Sequence, residues 1–449
     1  MHDPDHAGRI AQQLVERAIA AGATAADAMC VGDRSLGVEV RLGEIEGISR
    51  SENQEVGLRI FDGQRSATIA SSDLSDESFS NLVDRCLAMA REAPEDRFAG
   101  LAPEELLERR PPLCLDSADE IEPDPAALRS RALEAEQAAL GVAGVTNSGG
   151  ASASVSAAVI ALATSAGFAG AYRSTGHGCS AAVIAGTESS SLQRDSDWHS
   201  ARHFEDLDPP AEIGHRAGER AAARLNPSRP RPGRYPILFD PRVSASLIGH
   251  FAGAISGSAV ARKTSFLQDR LGERLFRPGV TIVDDPLRPR GLRSRPFDGE
   301  GVRVSRQELV SDGILNQWIA DSASARQLGI APTGQAGRGV GGAPHPSLSN
   351  FYLAPGERSR ADLLASFPEA VLVVELIGQG VNPVTGDYSR GAVGFMVRDG
   401  AIAEPVAEIT VAANLIDMFA MMEPASDLVF RRGSDAPTVL IPEMTVGAA

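Results

Sequence analysis

The chain has 449 residues, 43% hydrophobic and 23% charged, a composition typical of a folded protein of several domains and not of a disordered chain. With 59 acidic and 43 basic residues its formal net charge is −16, which disfavours direct binding of nucleic acid. The sequence has no membrane-spanning apolar stretch, its acidic start lacks the pattern of a secretory signal, and its four cysteines form no CxxC pair. We therefore expect a cytoplasmic protein without membrane or nucleic-acid partners.

Hydrophobic periodicity predicts helices in the first half of the chain, over residues 7–21, 75–92, 125–140 and 209–224. Alternating apolar and polar segments between these helices predict strands. The pattern is therefore a helix–strands–helix unit that occurs twice, over 1–115 and 116–228. This order favours an α+β arrangement over a parallel doubly wound sheet.

The second half begins after a proline-rich segment at 226–236, where proline favours a linker. Residues 237–239 predict a buried strand, and Asp240 followed by Pro241 predicts the start of a helix over 241–255. Short apolar segments separated by glycine-containing turns follow, which predict a β-rich C-terminal domain over 229–449. The expected fold class is α+β, with two helix–strands–helix units before this β-rich domain.

Two local patterns suggest chemistry only weakly. His199 and His203 are four residues apart, and on a helix both imidazoles would share one face. Ser200 follows His199, so the pair lacks the glutamate of an HExxH site, and acidic neighbours favour an exposed polar connection. Gly337–Gly342 resembles a dinucleotide-binding loop, but no strong strand precedes it and prolines follow, so we expect a flexible loop.

Several blocks of the C-terminal half together carry a more specific pattern. They are His250–Gly257 with Ser265–Leu267, Pro296–Val302, Asp321–Gly329, Gly378–Ala392, Glu408–Thr410 and Asn414–Leu415. In this order they resemble the TldD/TldE peptidase family, also called PmbA or modulator of DNA gyrase, and within it the TldE/PmbA branch. The N-terminal half resembles the family in layout more than in motif.

The resemblance bears directly on zinc. In the TldD branch the equivalent helix carries HExxxH, and a late cysteine completes the zinc site. Matching through Gly253 places Gly249 at the first metal-binding histidine, His250 at the glutamate and Ala254 at the second histidine. Every cysteine here lies at or before Cys179, and a catalytic zinc site typically needs three protein donors. We therefore expect no metal or other cofactor in this chain, and zinc in a TldD-like partner.

By resemblance, the chain is a non-catalytic TldE-like subunit of a cytoplasmic zinc metallopeptidase complex that degrades or processes unfolded peptides. Its expected partners are a TldD-like zinc peptidase subunit and the unfolded peptides. The peptide channel or partner interface is expected to include Gly378, Gly380, Asn382, Tyr388 and Arg390. The alternative for this segment is a buried turn in which Arg390 pairs with an internal carboxylate such as Asp387.

Two other functions stay open at the level of sequence. The chain could be a self-sufficient peptidase or hydrolase that uses His250 or the His199/His203 pair. It could also be a non-enzymatic regulator of a protein partner such as DNA gyrase. The sequence does not distinguish a homodimer from a heterodimer, and it does not identify a substrate.

Overall fold

The computed structural model describes residues 3–110, 113–187 and 191–448. It confirms the expected α+β class, with a β-rich C-terminal half. The first half forms one antiparallel sheet with the strand order β3-β2-β1-β4-β5-β6. Its strands are β1 Ala25–Arg41, β2 Glu44–Asp62, β3 Arg65–Ser71, β4 Val145–Thr164, β5 Ala169–Ala185 and β6 Gln193–Ala201. Because β1 pairs with β4, both predicted N-terminal units contribute strands to this sheet.

The helices of the first half cover one face of that sheet. They are α1 Pro4–Ala20, α2 Asp76–Glu92, α3 Pro125–Leu140 and α4 Pro210–Ala223, with short 3₁₀ turns at Glu104–Leu106 and Phe204–Asp206. On β1, Ala26, Ala28 and Cys30 pack with α1 and α2, whereas Val38 and Val40 pack with α3 and α4. These residues are all even-numbered, so they point to the same side of the strand.

The second half is built around a ring of strands. Its helices are α5 Pro241–Ala254, α6 Gly257–Ala261, α7 Ser322–Leu328, α8 Arg360–Leu364 and α9 Leu415–Met421. Its strands are β7 Gly233–Phe239, β8 Ile282–Asp284, β9 Gln307–Ser311, β10 Ile314–Leu315, β11 Ala336–Gly337, β12 His345–Pro346, β13 Phe351–Leu353, β14 Glu369–Ile377, β15 Asp387–Arg398, β16 Ala401–Asn414, β17 Glu423–Pro424, β18 Ser434–Asp435 and β19 Val439–Ala448.

In the larger C-terminal sheet the order is β16-β15-β14-β7-β19-β17, and β16 also pairs with β19. The strands β16, β15, β14, β7 and β19 therefore close on themselves. A smaller sheet has the order β10-β9-β8-β13-β18. The main core lies between these sheets and contains the buried side of α5 together with α9. None of the helices in the described ranges is long and apolar enough to cross a membrane.

A buried ion cluster joins the N-terminal sheet to the C-terminal half. Asp27 on β1 accepts a hydrogen bond from Nε of Arg59 on β2 at 2.9 Å, and its other carboxylate oxygen lies 2.5 Å from Nη1 of Arg338. The side chains of Asp27 and Arg338 are 1% and 0% exposed. Burial raises the pKa of Asp27, but Arg338 and Arg59 outweigh it and hold that pKa below its ordinary value. The loop 337–342 is therefore anchored, and the expectation of a flexible loop was wrong.

The same contact brings two backbones together. A Cβ atom placed on Gly57 of β2 would lie 1.7 Å from the carbonyl oxygen of Val340. Only glycine allows this approach, because a methyl group at that distance would overlap the loop backbone. The sheet and the loop 337–342 are thus fitted to each other by sterics as well as by charge.

Candidate functional site

Helix α5 is the element to which the family resemblance points. It begins where the carboxylate of Asp240 accepts the main-chain N–H of Arg242 at 3.1 Å, with Pro241 at the first helical position. Leu247 and Phe251 are completely buried in the main core. These contacts orient the helix so that its opposite side faces outward.

The outward side of α5 carries no side chains along one helical turn. Gly249 and Gly253 are both exposed and lie four residues apart, so they share a face. A Cβ atom on either glycine would have no other atom within 4 Å. We call this surface, formed by Gly249 and Gly253, the open face of α5.

The three positions that match the TldD zinc motif point in different directions. Gly249 lies on the open face and has no side chain, while His250 is half-buried. Ala254 is 5% exposed and packs in the main core, and its carbonyl oxygen accepts the Ser265 hydroxyl at 2.6 Å. Neither Gly249 nor Ala254 can donate an electron pair from a side chain. Within the described residues, no group of three or more His, Cys, Asp or Glu side chains is placed to hold a metal ion.

His250 packs against Tyr388 instead of facing a carboxylate. Their ring centres are 6.0 Å apart in an edge-to-face arrangement. Nε2 of His250 is buried and has no hydrogen-bond partner in the described part of the chain. Burial lowers the pKa of His250, and the nearby charge of Arg390 lowers it further. Both effects favour the neutral form of the imidazole.

The predicted segment Gly378–Ala392 forms the hairpin between β14 and β15. Its loop, residues 378–386, bends back on itself because Gly380 approaches the next strand closely. The main-chain N–H of Ser389 donates to the carbonyl oxygen of Gly380 at 2.7 Å, and a Cβ atom on Gly380 would lie 1.8 Å from the carbonyl oxygen of Ser389. Gly378 has φ +81°, a conformation that favours glycine. We call residues 378–386 the hairpin loop.

Asn382 and Asn414 hold the hairpin loop in shape. The side-chain oxygen of Asn382 accepts the main-chain N–H of Val384 at 2.9 Å, a local turn typical of asparagine. Nδ2 of Asn414 donates to the carbonyl oxygen of Thr385 at 3.0 Å. Gly378, Gly380 and Asn382 are exposed. The loop is therefore an ordered surface feature and not a buried turn.

Tyr388 and Arg390 lie beneath the loop, on β15. Tyr388 is 1% exposed, and burial raises its pKa to about 12 against the opposing charge of Arg390. Arg390 is half-buried and donates weakly to the carbonyl oxygen of Leu376 at 3.4 Å; no well-formed hydrogen bond joins it to the Tyr388 hydroxyl. Asp387 accepts the Thr385 hydroxyl at 2.7 Å instead. The pairing of Arg390 with Asp387 that the sequence left open is not formed.

The structure corrects the interpretation of His199 and His203. His199 lies on β6 and not on a helix, and the side chains are only 13% and 11% exposed. The main-chain N–H of Asp208 donates to Nδ1 of His199 at 3.0 Å, and Nε2 of His203 lies 3.0 Å from the carbonyl oxygen of Asp116. His199 thus lies on an edge strand in which buried and exposed residues alternate, His203 lies just beyond that strand, and each ring has its own main-chain partner.

The open face gives a first testable prediction. We expect Gly249→Ala to stabilise the isolated chain by about 0.5–1 kcal/mol, because alanine restricts the unfolded chain and fits a helix interior without a clash. Gly57→Ala is the matched opposite, since its methyl group would meet Val340 at 1.7 Å. Chemical denaturation of the isolated chain measures both variants. A loss of stability in Gly249→Ala would show that the chain itself covers this face.

Comparison with known proteins identifies the family. Models of the PmbA/TldA metallopeptidase match domain 1 over residues 26–90, the central domain over 118–225 and the C-terminal domain over 232–448. The metalloprotease PmbA of Escherichia coli is 37% identical over 414 residues, which cover 92% of this chain and 89% of that protein. The chain belongs to the PmbA/TldD metallopeptidase family.

Two solved structures share the fold of this PmbA/TldD family member. A Bacteroides thetaiotaomicron protein named as a candidate modulator of DNA gyrase superposes with a TM-score of 0.91 at 23% identity, over 98% of each chain. TldE of Thermococcus kodakarensis superposes with a TM-score of 0.87 at 19% identity, over 98% of this chain and 100% of its own. At these identities the likeness describes the fold alone.

Sequence motifs located α5 and the hairpin loop in this family member. They did not show which side of each element is exposed and which is buried. The open face depends on which side of α5 is buried, and the buried position of Tyr388 depends on its packing against His250. The amphipathic pattern of α5, with Leu247 and Phe251 on one side, is the one sequence signal that could have placed Gly249 and Gly253 outward.

Proposed function

We propose that this member of the PmbA/TldD metallopeptidase family is the TldE-like, non-catalytic subunit of a cytoplasmic peptidase complex. In this proposal a TldD-like subunit carries the zinc ion, and the complex degrades or processes unfolded peptides. This chain supplies part of the partner interface and of the channel along which the peptide lies.

The observation that carries the proposal is the open face of α5. Glycine within a helix costs roughly 0.5–1 kcal/mol relative to alanine, and Gly249 and Gly253 have open space where side chains would be. No atom of the described chain requires either glycine. A close approach by the backbone of another chain is the physical reason that fits this pattern, since only glycine lets two backbones come into contact there.

The donor set around α5 supports a non-catalytic role. A metal that activates water needs histidine, carboxylate or thiolate ligands, and Gly249 and Ala254 offer none. The residues of this chain therefore do not fit the family's zinc ion. His250, at the position of the glutamate, packs edge-to-face on Tyr388, and burial favours its neutral form.

The hairpin loop is suited to contact with a peptide or partner. It is held in one shape by Asn382 and Asn414, so little conformational entropy is lost when it binds. Ile377 and Val384 at its two sides are each 54% exposed, which gives the surface an apolar character. The buried Tyr388 and half-buried Arg390 support the loop from below and are not themselves its outer surface.

The two alternative functions would require different features of this chain. A self-sufficient peptidase based on His250 would need an accessible ring and an orienting partner, whereas Nε2 of His250 is buried. His199 and His203 each contact a main-chain group. A regulator of a protein partner such as DNA gyrase would need neither peptidase activity nor a TldD-like subunit, so the same experiment separates it.

The test compares this chain alone with a mixture that contains a TldD-like subunit. We expect the isolated chain to hold no stoichiometric zinc and to cleave no unfolded peptide. After mixing, we expect light scattering to show one complex and we expect peptide cleavage that a chelator inhibits. The TldD-like subunit alone is the control for metal content and basal activity. About one equivalent of zinc with cleavage by the isolated chain, or two separate species at micromolar concentration, would contradict the proposal.

A further inference from the structure

A cavity rich in arginine lies where the N-terminal sheet meets the C-terminal half. Its volume is about 260 Å³, and it is enclosed by residues 199–202 at the end of β6 and by the segments 288–292 and 430–433. Its arginines are Arg202, Arg288, Arg290, Arg431 and Arg432. We call this cavity the arginine pocket; it shares no residue with the open face of α5 or the hairpin loop.

Five arginines but only a few carboxylates line the pocket, in a chain whose net charge is −16. Only two carboxylates line it, Asp206 and Asp435. Asp206 pairs with Arg290 at 3.0 Å, and the Asp435 carboxylate accepts the main-chain N–H of Gly433 at 3.1 Å. Outside the lining, Asp208 pairs with Arg431, and Asp116 and Glu205 pair with Arg290. The carboxylates of the pocket are therefore already engaged.

Three of the lining arginines have no carboxylate oxygen within 4.0 Å among the described residues. Arg202 donates to main-chain carbonyl oxygens at 2.8 and 3.3 Å, and Arg432 donates to one at 2.9 Å. The guanidinium of Arg288 forms neither a hydrogen bond nor an ion pair in the described part of the chain, and it lies 3.5 Å from the ring centre of Phe430. These cations are positioned by dipoles and by an aromatic face, without a counter-ion.

Withdrawing a charge from water is unfavourable unless an opposite charge compensates it. Burial lowers the pKa of Arg202 and also of Arg432, as expected where compensation is incomplete. The guanidinium group presents a planar fork of donors that matches the oxygens of phosphate and carboxylate groups. At about 260 Å³ the cavity lies below the roughly 300–1,000 Å³ of pockets for drug-sized ligands. A small anion fits these conditions better than a nucleotide.

We propose that the arginine pocket binds a small multivalent oxyanion that carries phosphoryl or carboxylate groups. Arg288 donates to the anion, and Arg202 and Arg432 supply fixed positive charge. The lining comes from both halves of the chain, so the bound anion ties β6 to the segments 288–292 and 430–433. Because the anion binds the folded chain and not the unfolded chain, it also raises the thermal stability of the protein.

The experiment titrates the full chain by calorimetry with pyrophosphate, inorganic phosphate and citrate at constant ionic strength. We expect saturable binding of at least one of them, with a melting temperature that rises with its concentration. Pyrophosphate binding more tightly than citrate assigns the site to phosphoryl groups, and the reverse order assigns it to carboxylates. Arg288→Gln and Arg432→Gln should each weaken binding by about tenfold or more, because each removes a positive charge from the lining.

Arg270→Gln is the matched control, since Arg270 is an exposed arginine paired with Glu273 at 2.9 Å and should leave anion binding unchanged. Without anion, Arg288→Gln and Arg432→Gln should melt at the same or a higher temperature than the parent chain, because each removes an uncompensated charge. Three results would overturn the proposal: no saturable binding of any of the three anions at millimolar concentration, equal weakening in Arg270→Gln, or lower ligand-free melting temperatures in both pocket variants.

Discussion

Asp27→Ala should destabilise the folded chain by about 3–5 kcal/mol, the cost expected when one partner of a buried ion cluster is removed. The carboxylate of Asp27 is the shared partner of Arg59 and Arg338, and the Arg338 side chain is completely buried. Alanine would leave both guanidinium groups inside the protein without this carboxylate. Chemical denaturation followed by tryptophan fluorescence measures the change.

The dependence on pH gives the same prediction a second readout. The pKa of Asp27 is held below its ordinary value of 3.8, so its ionised form stabilises the folded state fully at neutral pH. As pH falls below about 4, the unfolded carboxyl takes up a proton before the folded one does, and this contribution is lost. The difference between the parent chain and Asp27→Ala should therefore narrow in acid.

Glu273→Ala is the control for Asp27→Ala, because it breaks an ion pair whose side chains are 45% and 49% exposed. Exposed pairs contribute about 0–1 kcal/mol, so this variant should unfold close to the parent chain. If both variants lost the same small amount of stability, the cluster would not fasten the loop 337–342 to the sheet.

Gly249→Leu should abolish most of the activity of the mixed complex while leaving the isolated chain folded. A Cβ atom at position 249 has open space in the isolated chain, and leucine is a good helix former. It would, however, occupy the surface at which the proposed partner approaches. We expect the affinity for the TldD-like subunit to fall by about tenfold or more, equivalent to about 1.4 kcal/mol.

A matched control comes from helix α1. Gly8 is also a helical glycine with no atom within 4 Å of a built Cβ, so Gly8→Leu adds the same side chain elsewhere on the surface. Light scattering and peptide cleavage measure the two variants side by side. Equal activity and equal affinity for both variants would rule out the open face of α5 as the contact.

Local sequence predicted most helices closely. Periodicity indicated 125–140, and the structure has Pro125–Leu140 with Asp124 as its cap. The Asp240–Pro241 cap pattern indicated 241–255, and the structure has Pro241–Ala254. These features depend on residues within one or two helical turns, so short-range patterns suffice. The four-residue spacing of His199 and His203 carried no information, because it implies a shared face only on a helix and His199 lies on a strand.

The sequence by itself determined the family, through blocks that occur in order in the C-terminal half. It also determined that positions 249 and 254 have no side chain that could bind a metal ion. Only the tertiary structure decided that no other described segment covers Gly249 and Gly253, that Asp27 meets Arg338, and that Arg288 and Arg432 share one pocket. The physical reason is that side-chain identity is local, whereas burial and charge pairing arise when distant segments pack together. Local sequence patterns therefore do not predict which charged side chains of two distant segments form a pair.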